Sequence, residues 1–135
     1  LALPHLRTLT IRRGTHRPRA PMAVDTEGGL FGSDSLQRLE IDGYTMTGES
    51  RLGPFPALLE VEMTRCQLES MDFLEKSSRL THLNLRGNLL SELPAFIGSL
   101  TQLRRIDLSG NPFKVIYLNL SELPHLEALE LKIGK

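Results

Sequence analysis

The chain has 135 residues, 16 Lys plus Arg against 16 Asp plus Glu, a 40% hydrophobic fraction and a 24% charged fraction; this is one domain's length and a globular composition, which excludes two ordinary domains and whole-chain disorder. The neutral total hides an asymmetry, because Arg7, Arg12, Arg13, Arg17 and Arg19 precede the first acid, Asp25, so residues 1 to 24 carry +5 and the remainder −5. A lone cysteine, Cys66, excludes an internal disulfide, no apolar run reaches the roughly 20 residues of a membrane helix, and the first residues lack the charged-then-apolar layout of a signal peptide.

The first predicted strand lies in "LRTLTIRRGTH" at 6 to 16, where Leu9 and Ile11 stand two apart, the period at which a strand sends side chains to one face. After it comes "RRGTHRPRAPMAVDTEGG" at 12 to 29, basic at its start and acidic at its end, which reads as an irregular loop. "GGLFGSDSLQRL" restores an apolar pattern through Leu30, Phe31 and Leu36 and leads into "LQRLEIDGYTM" at 36 to 46. The same pattern returns as "LLEVEMTRCQL" at 58 to 68, "LTHLNLRGNLL" at 80 to 90, "LRRIDLSGNPF" at 103 to 113 and "LEALELKIGK" at 126 to 135. Between these strands, Leu93, Phe96, Ile97, Leu100 and Leu103 are expected to point inward, with Pro94 and Gly98 forcing turns; Phe113, Ile116, Leu120, Leu123 and Leu126 are expected to do likewise.

Units starting at 36, 58, 80, 103 and 126 are 22 or 23 residues apart, whereas the unit starting at 6 runs 30 residues to the next. The surplus falls within residues 12 to 29, so that stretch is an insertion on the loop leaving the first strand rather than a linker between domains. "LPHLRTLTI" at 3 to 11 and "LPHLEALEL" at 123 to 131 match in phase at opposite ends. One short strand cannot bury its leucines alone, so successive units must stack into a parallel sheet with a continuous core. Neither end offers a polar cap, and the expectation is a segment, residues 1 to 135, of a longer array uncapped at both ends.

The shared template, L-x-x-L-x-L-x-x-N-x-L, resembles the leucine-rich repeat family over nearly the whole chain. That resemblance implies an α/β-type solenoid with a parallel concave β-sheet and a mostly irregular, short-helical convex side. It also implies a protein-binding module without a cofactor. "LSELPAFIGSLTQL" is similar to intracellular and plant-type repeats, which implies a scaffold or immune-sensor segment; the overlong first repeat and the phenylalanines Phe31 and Phe73 look like receptor ectodomains such as Toll-like receptors. The lack of cysteine-capped ends departs from that second pattern.

Three residues have a structural reading. Asn88 and Asn111 end their strands, where a buried amide can supply both donors and an acceptor to backbone groups left unpaired by the turn. Cys66 stands in the equivalent slot and can serve as a small, weak donor. As a nucleophile it lacks a recognisable histidine partner, and His5, His16, His82 and His125 have no metal-ligand spacing. No phosphate loop or acid/base carboxylate pair appears, and the chain does not read as an enzyme.

The residues between the strand leucines form a column: Thr10, Glu40, Glu62, Asn84, Asp107 and Glu130. Arg38, His82 and Arg105 flank it on one side and Arg12, Arg86 and Lys132 on the other, giving a mixed-charge face for a protein partner. Like charges at Glu40 and Glu62 would sit one strand spacing apart, about 4.8 Å, and repel. In the insertion, Arg12, Arg13, His16, Arg17 and Arg19 could hold a polyanion, either a heparin-like glycan or a nucleic acid, although no aromatics are interleaved for base stacking. "NLS" at 119 to 121 makes Asn119 a candidate glycosylation acceptor.

Overall fold

The computed structural model describes residues 5–12, 23–25, 32–47 and 52–132. Six short strands form one parallel sheet in the order β1 (Thr8–Arg12), β3 (Arg38–Asp42), β5 (Glu60–Thr64), β6 (His82–Asn84), β7 (Arg105–Asp107) and β8 (Ala128–Glu130). A second sheet pairs β2 (Ala23–Asp25) with β4 (Thr45–Thr47), also parallel. Each strand of the larger sheet is one repeat, so neighbours in sequence are neighbours in space.

The period-2 pattern sets the faces. In β3 Leu39 and Ile41 are buried while Arg38, Glu40 and Asp42 are not, and in β5 Val61 and Met63 are buried between Glu60, Glu62 and Thr64. Inward side chains join Leu36, Leu58, Leu80, Leu100 and Leu103 in one core that runs the length of the stack. Phe55 and Phe73 close its outer side edge-to-face, with ring centroids 6.2 Å apart at 88°, a geometry worth about 1 kcal/mol beyond the area it buries.

Register is maintained by a backbone relay just before each strand. Gln37 O accepts from the N–H groups of Leu59 and Glu60, Leu59 O from Thr81 and His82, Thr81 O from Arg104 and Arg105, and Arg104 O from Glu127 and Ala128. Arg7 O accepts from Gln37 and Arg38 in the same manner. The overlong first repeat therefore rejoins the stack with no slip: Thr10 sits opposite Glu40.

The outer side turns in 3-10 segments at Asp72–Leu74, Ala95–Ser99 and Leu120–Glu122, as expected of a short-helical convex face. Two expectations fail. The stretch at 12 to 29 is not wholly irregular, because Ala23–Asp25 pairs along Thr45–Thr47. Leu120 is not a core residue: it is 54% exposed, and Leu118 packs against the core in its stead. Phe31 and Leu30 lie outside the described residues.

Buried amides finish the strands. Asn88 donates from Nδ2 to the carbonyls of Met63 and Leu85 at 2.7 and 2.9 Å, and its Oδ1 accepts from the N–H groups of Cys66 and Leu68 at 2.9 and 3.1 Å. Asn111 repeats this one step on, donating to Leu85 and Leu108 and accepting from Leu90 N–H at 3.0 Å. In the slot before them the Cys66 thiol lies 3.5 Å from Ile41 O and 3.3 Å from Thr64 O. Ile41 O has the place that Met63 O has under Asn88, so the thiol substitutes for half of the amide's task.

Candidate functional site: the concave charged face

The column expected between the strand leucines is a row in register. Thr10 faces Glu40, Glu40 faces Glu62, Glu62 faces Asn84, Asn84 faces Asp107 and Asp107 faces Glu130. A second row runs Arg38, Glu60, His82, Arg105. The strand faces at Glu40, Glu62, Asn84 and Asp107 line a hollow of about 710 Å³ on the concave side.

The N-terminal half of this face is internally compensated. Arg12 donates to Glu40 Oε1 from Nε at 3.1 Å and Nη2 at 2.7 Å, while Arg38 lies 3.9 Å from Glu40 and 3.6 Å from Glu60. His82 Nδ1 lies 3.7 Å from Glu60 and 2.8 Å from Thr81 Oγ1. Asp42 takes Arg65 and a 2.6 Å bond from the Thr64 hydroxyl. The Arg65 hydrogen bonds lower the Asp42 pKa from its ordinary value, against the opposing effect of partial burial.

The C-terminal half is different. Among the described residues, Glu62 accepts from Asn84 Nδ2 at 3.2 Å, and Asp107 from the N–H and hydroxyl of Ser109. Among the described residues, no cation lies within ion-pair distance of Glu62, Asp107 or Glu130, and no acid within that distance of Arg86 or Arg105. Arg86 and Lys132 are exposed beyond the row. Charge here is unspent.

The sequence reading missed three members of the face. Glu60 lies outside the column between the strand leucines, and β5 places it in the Arg38 row. Asp42 and Arg65 form an exposed clasp as short as that of Arg12 and Glu40, and a signal existed: Arg65 stands one repeat from both Gly43 and Gly87, where glycine is the rule. Of the insertion residues, Arg12 is described and exposed; Arg13, His16, Arg17 and Arg19 lie outside the described residues.

Cys66 is buried, and that burial pushes its pKa up to about 11, so at neutral pH it is a thiol and a poor nucleophile. Among the described residues no group of three or more His, Cys, Asp or Glu side chains could hold a metal, and no helix is long and apolar enough to cross a membrane. Asn119 is exposed at the start of the Leu120–Glu122 turn.

The sequence model of the family described as Leucine Rich Repeat matches residues 79–100 and 102–129. No curated protein matches the chain in sequence. In structure the chain is similar to an internalin from Listeria monocytogenes, with a TM-score of 0.51 and 16% identity over 73% of this chain. It spans 40% of the length of that internalin, and the likeness is one of fold.

Proposed function

Because this chain is a leucine-rich repeat solenoid, we propose that it is a protein-recognition module whose concave face receives a charged segment of a partner protein. The observation that carries this reading is the row Glu62, Asn84, Asp107, Glu130, held in register by parallel pairing and left with acids that no cation of the described chain neutralises. Arg86 and Arg105 flank it with the opposite sign. A partner presenting Lys or Arg opposite the row, and an acid opposite the flanking arginines, would match its charges, speed encounter and penalise wrong registers.

The experiment is photocrosslinking in cells from a reactive side chain placed at Asn84, with the captured partner identified by mass spectrometry. The double variant Glu62→Lys, Asp107→Lys should retain its circular dichroism spectrum and lose the crosslink. A partner captured equally well by that variant would overturn the reading.

The finer assignment is to a cell-surface or secreted receptor, supported by the overlong first repeat and by the exposed N-x-S acceptor at Asn119. An intracellular scaffold or immune-sensor segment is the alternative that the "LPAFIGSL" outer half supports. Polyanion binding through the N-terminal arginines is a third reading; Arg12 is already engaged by Glu40, which argues against it. No retention on heparin at low salt would end it.

A further inference from the structure

We propose that Asn119 carries an N-linked glycan and that the ring of Tyr117, two residues earlier, seats its first sugar. This rests on the secretory part of the preceding reading. From 116 to 119 the chain alternates: Ile116 and Leu118 pack against the core, while Tyr117 and Asn119 are exposed. Asn119 itself is extended, with φ −93° and ψ 101°, and an in-out burial alternation is the one by which residues two apart share a side. Tyr117 and Asn119 therefore project outward together.

The amide is oriented for the chemistry. Asn119 Oδ1 accepts from the Ser121 N–H at 3.1 Å and from the Ser121 hydroxyl at 2.6 Å. A backbone N–H can only donate, so the oxygen must face it and Nδ2 must face away. Nδ2 makes no hydrogen bond among the described residues. Ser121 is also the third residue of the N-x-S acceptor, so the hydroxyl the reaction requires already contacts the reacting amide.

A second observation concerns cover. Of the four large apolar residues that stay exposed among the described residues, three lie between residues 115 and 120: Val115 at 57%, Tyr117 at 88% and Leu120 at 54%. Val115 and Tyr117 line a shallow hollow of about 480 Å³ with Leu93 and Pro112 and the polar Ser91, Glu92 and Lys114. The ring of Tyr117 is thus open to solvent, and a pyranose can use it, since the C–H groups on one face of the sugar lie flat on an aromatic ring.

In the transfer, Asn119 Nδ2 forms a bond to C1 of the sugar as the bond from C1 to the diphosphate oxygen of a lipid-linked oligosaccharide breaks. The lipid diphosphate leaves with the electron pair, and the amide loses one proton to the transferase's base. No redox partner is needed.

The test is expression of residues 1–135 behind a secretory leader in insect cells, with translation into microsomes as a companion that does not depend on folding, and peptide mapping of the protein from its own cells. The wild type should gain an N-glycanase-sensitive mass at the peptide containing Asn119, which Asn119→Gln and Ser121→Ala both abolish. Enzymatic removal of the glycan should lower the wild-type Tm by about 3 °C and leave the Tm of glycosylated Tyr117→Ala unchanged. An unmodified Asn119 in insect cells and microsomes would overturn the acceptor assignment alone. Occupancy there with an unmodified, cytosolic native protein would overturn the secretory reading and the modification with it, and an equal Tm loss in Tyr117→Ala would overturn the role of the ring.

Discussion

Arg65 holds Asp42 across one strand spacing, its Nη2 at 2.7 Å from Oδ2 and 2.9 Å from Oδ1 and its Nε at 3.1 Å from Oδ1. To do so it adopts φ 55° at the repeat position where Gly43, Gly87 and Gly110 have φ 77°, 74° and 72°. A side chain in that left-handed region is strained by contact between Cβ and the backbone, and such strain concentrates where a side chain is needed. The turn serves any residue that tolerates it; only arginine adds the clasp.

Arg65→Gly and Arg65→Ala separate the two effects. Both remove the ion pair, but glycine also removes the backbone strain. The urea midpoint of Arg65→Gly should lie above that of Arg65→Ala; equal midpoints would mean that the turn is unstrained.

Asp42 gives the acid limb a specific component. Its native pKa is depressed, first by the Arg65 hydrogen bonds, so its contribution is present above the unfolded value of about 3.9 and lost as pH falls through the native value. Stability measured from pH 6 to pH 3 should fall less steeply in Asp42→Asn than in the wild type. Superimposable acid limbs would remove Asp42 from the account.

Cys66 acts at the other end of the scale. Its native pKa is raised to about 11 by burial, so its contribution is complete below the unfolded value of about 8.5 and is lost as pH rises through the native value. Between those limits the wild type should lose on the order of 3 kcal/mol more than Cys66→Ala. At pH 8 a disulfide reagent should react with Cys66 at the rate of unfolding, and rapid labelling of the native protein would contradict its burial.

Asn88 can be tested by deletion. Asn88→Ala strands the buried N–H groups of Cys66 and Leu68 and the carbonyl of Met63, which should cost about 3 kcal/mol in chemical denaturation. Asn111→Ala leaves one such N–H, that of Leu90, and should cost about 2 kcal/mol. Cys66→Asn runs the other way. It supplies the second donor that the thiol lacks and a stronger acceptor than sulfur, and should stabilise by about 1 kcal/mol.

Much of this arrangement was legible in the chain because two local periods specify it. The alternation Leu83, Asn84, Leu85 decides which side chain enters the core, and the 22- or 23-residue interval decides which residue of the next strand it meets, so the Glu40 to Glu130 row followed from counting. What did not follow depends on contacts that leave no period. Ala23–Asp25 pairs with Thr45–Thr47 on three residues with no repeat signature. The choice of Arg12 rather than Arg38 as the short partner of Glu40 is a matter of side-chain reach. Leu120 fits the apolar template, but the inner position was already filled by Leu118 and Leu123.

The amide slot also sets how each joint of the stack is held. A solenoid behaves as a row of units, each coupled to its neighbours alone. Asn88 and Asn111 rivet successive units with side-chain amide hydrogen bonds through the core, while at Cys66 the rivet is replaced by a soft sulfur contact. The five-residue pairing of β3 with β5, against three residues for β5 with β6, carries that joint instead. Under force or partial denaturation the two halves would therefore part by different routes: the joint at Cys66 peels backbone first, strand from strand, whereas the joints at Asn88 and Asn111 hold until a single amide gives way and then open at once.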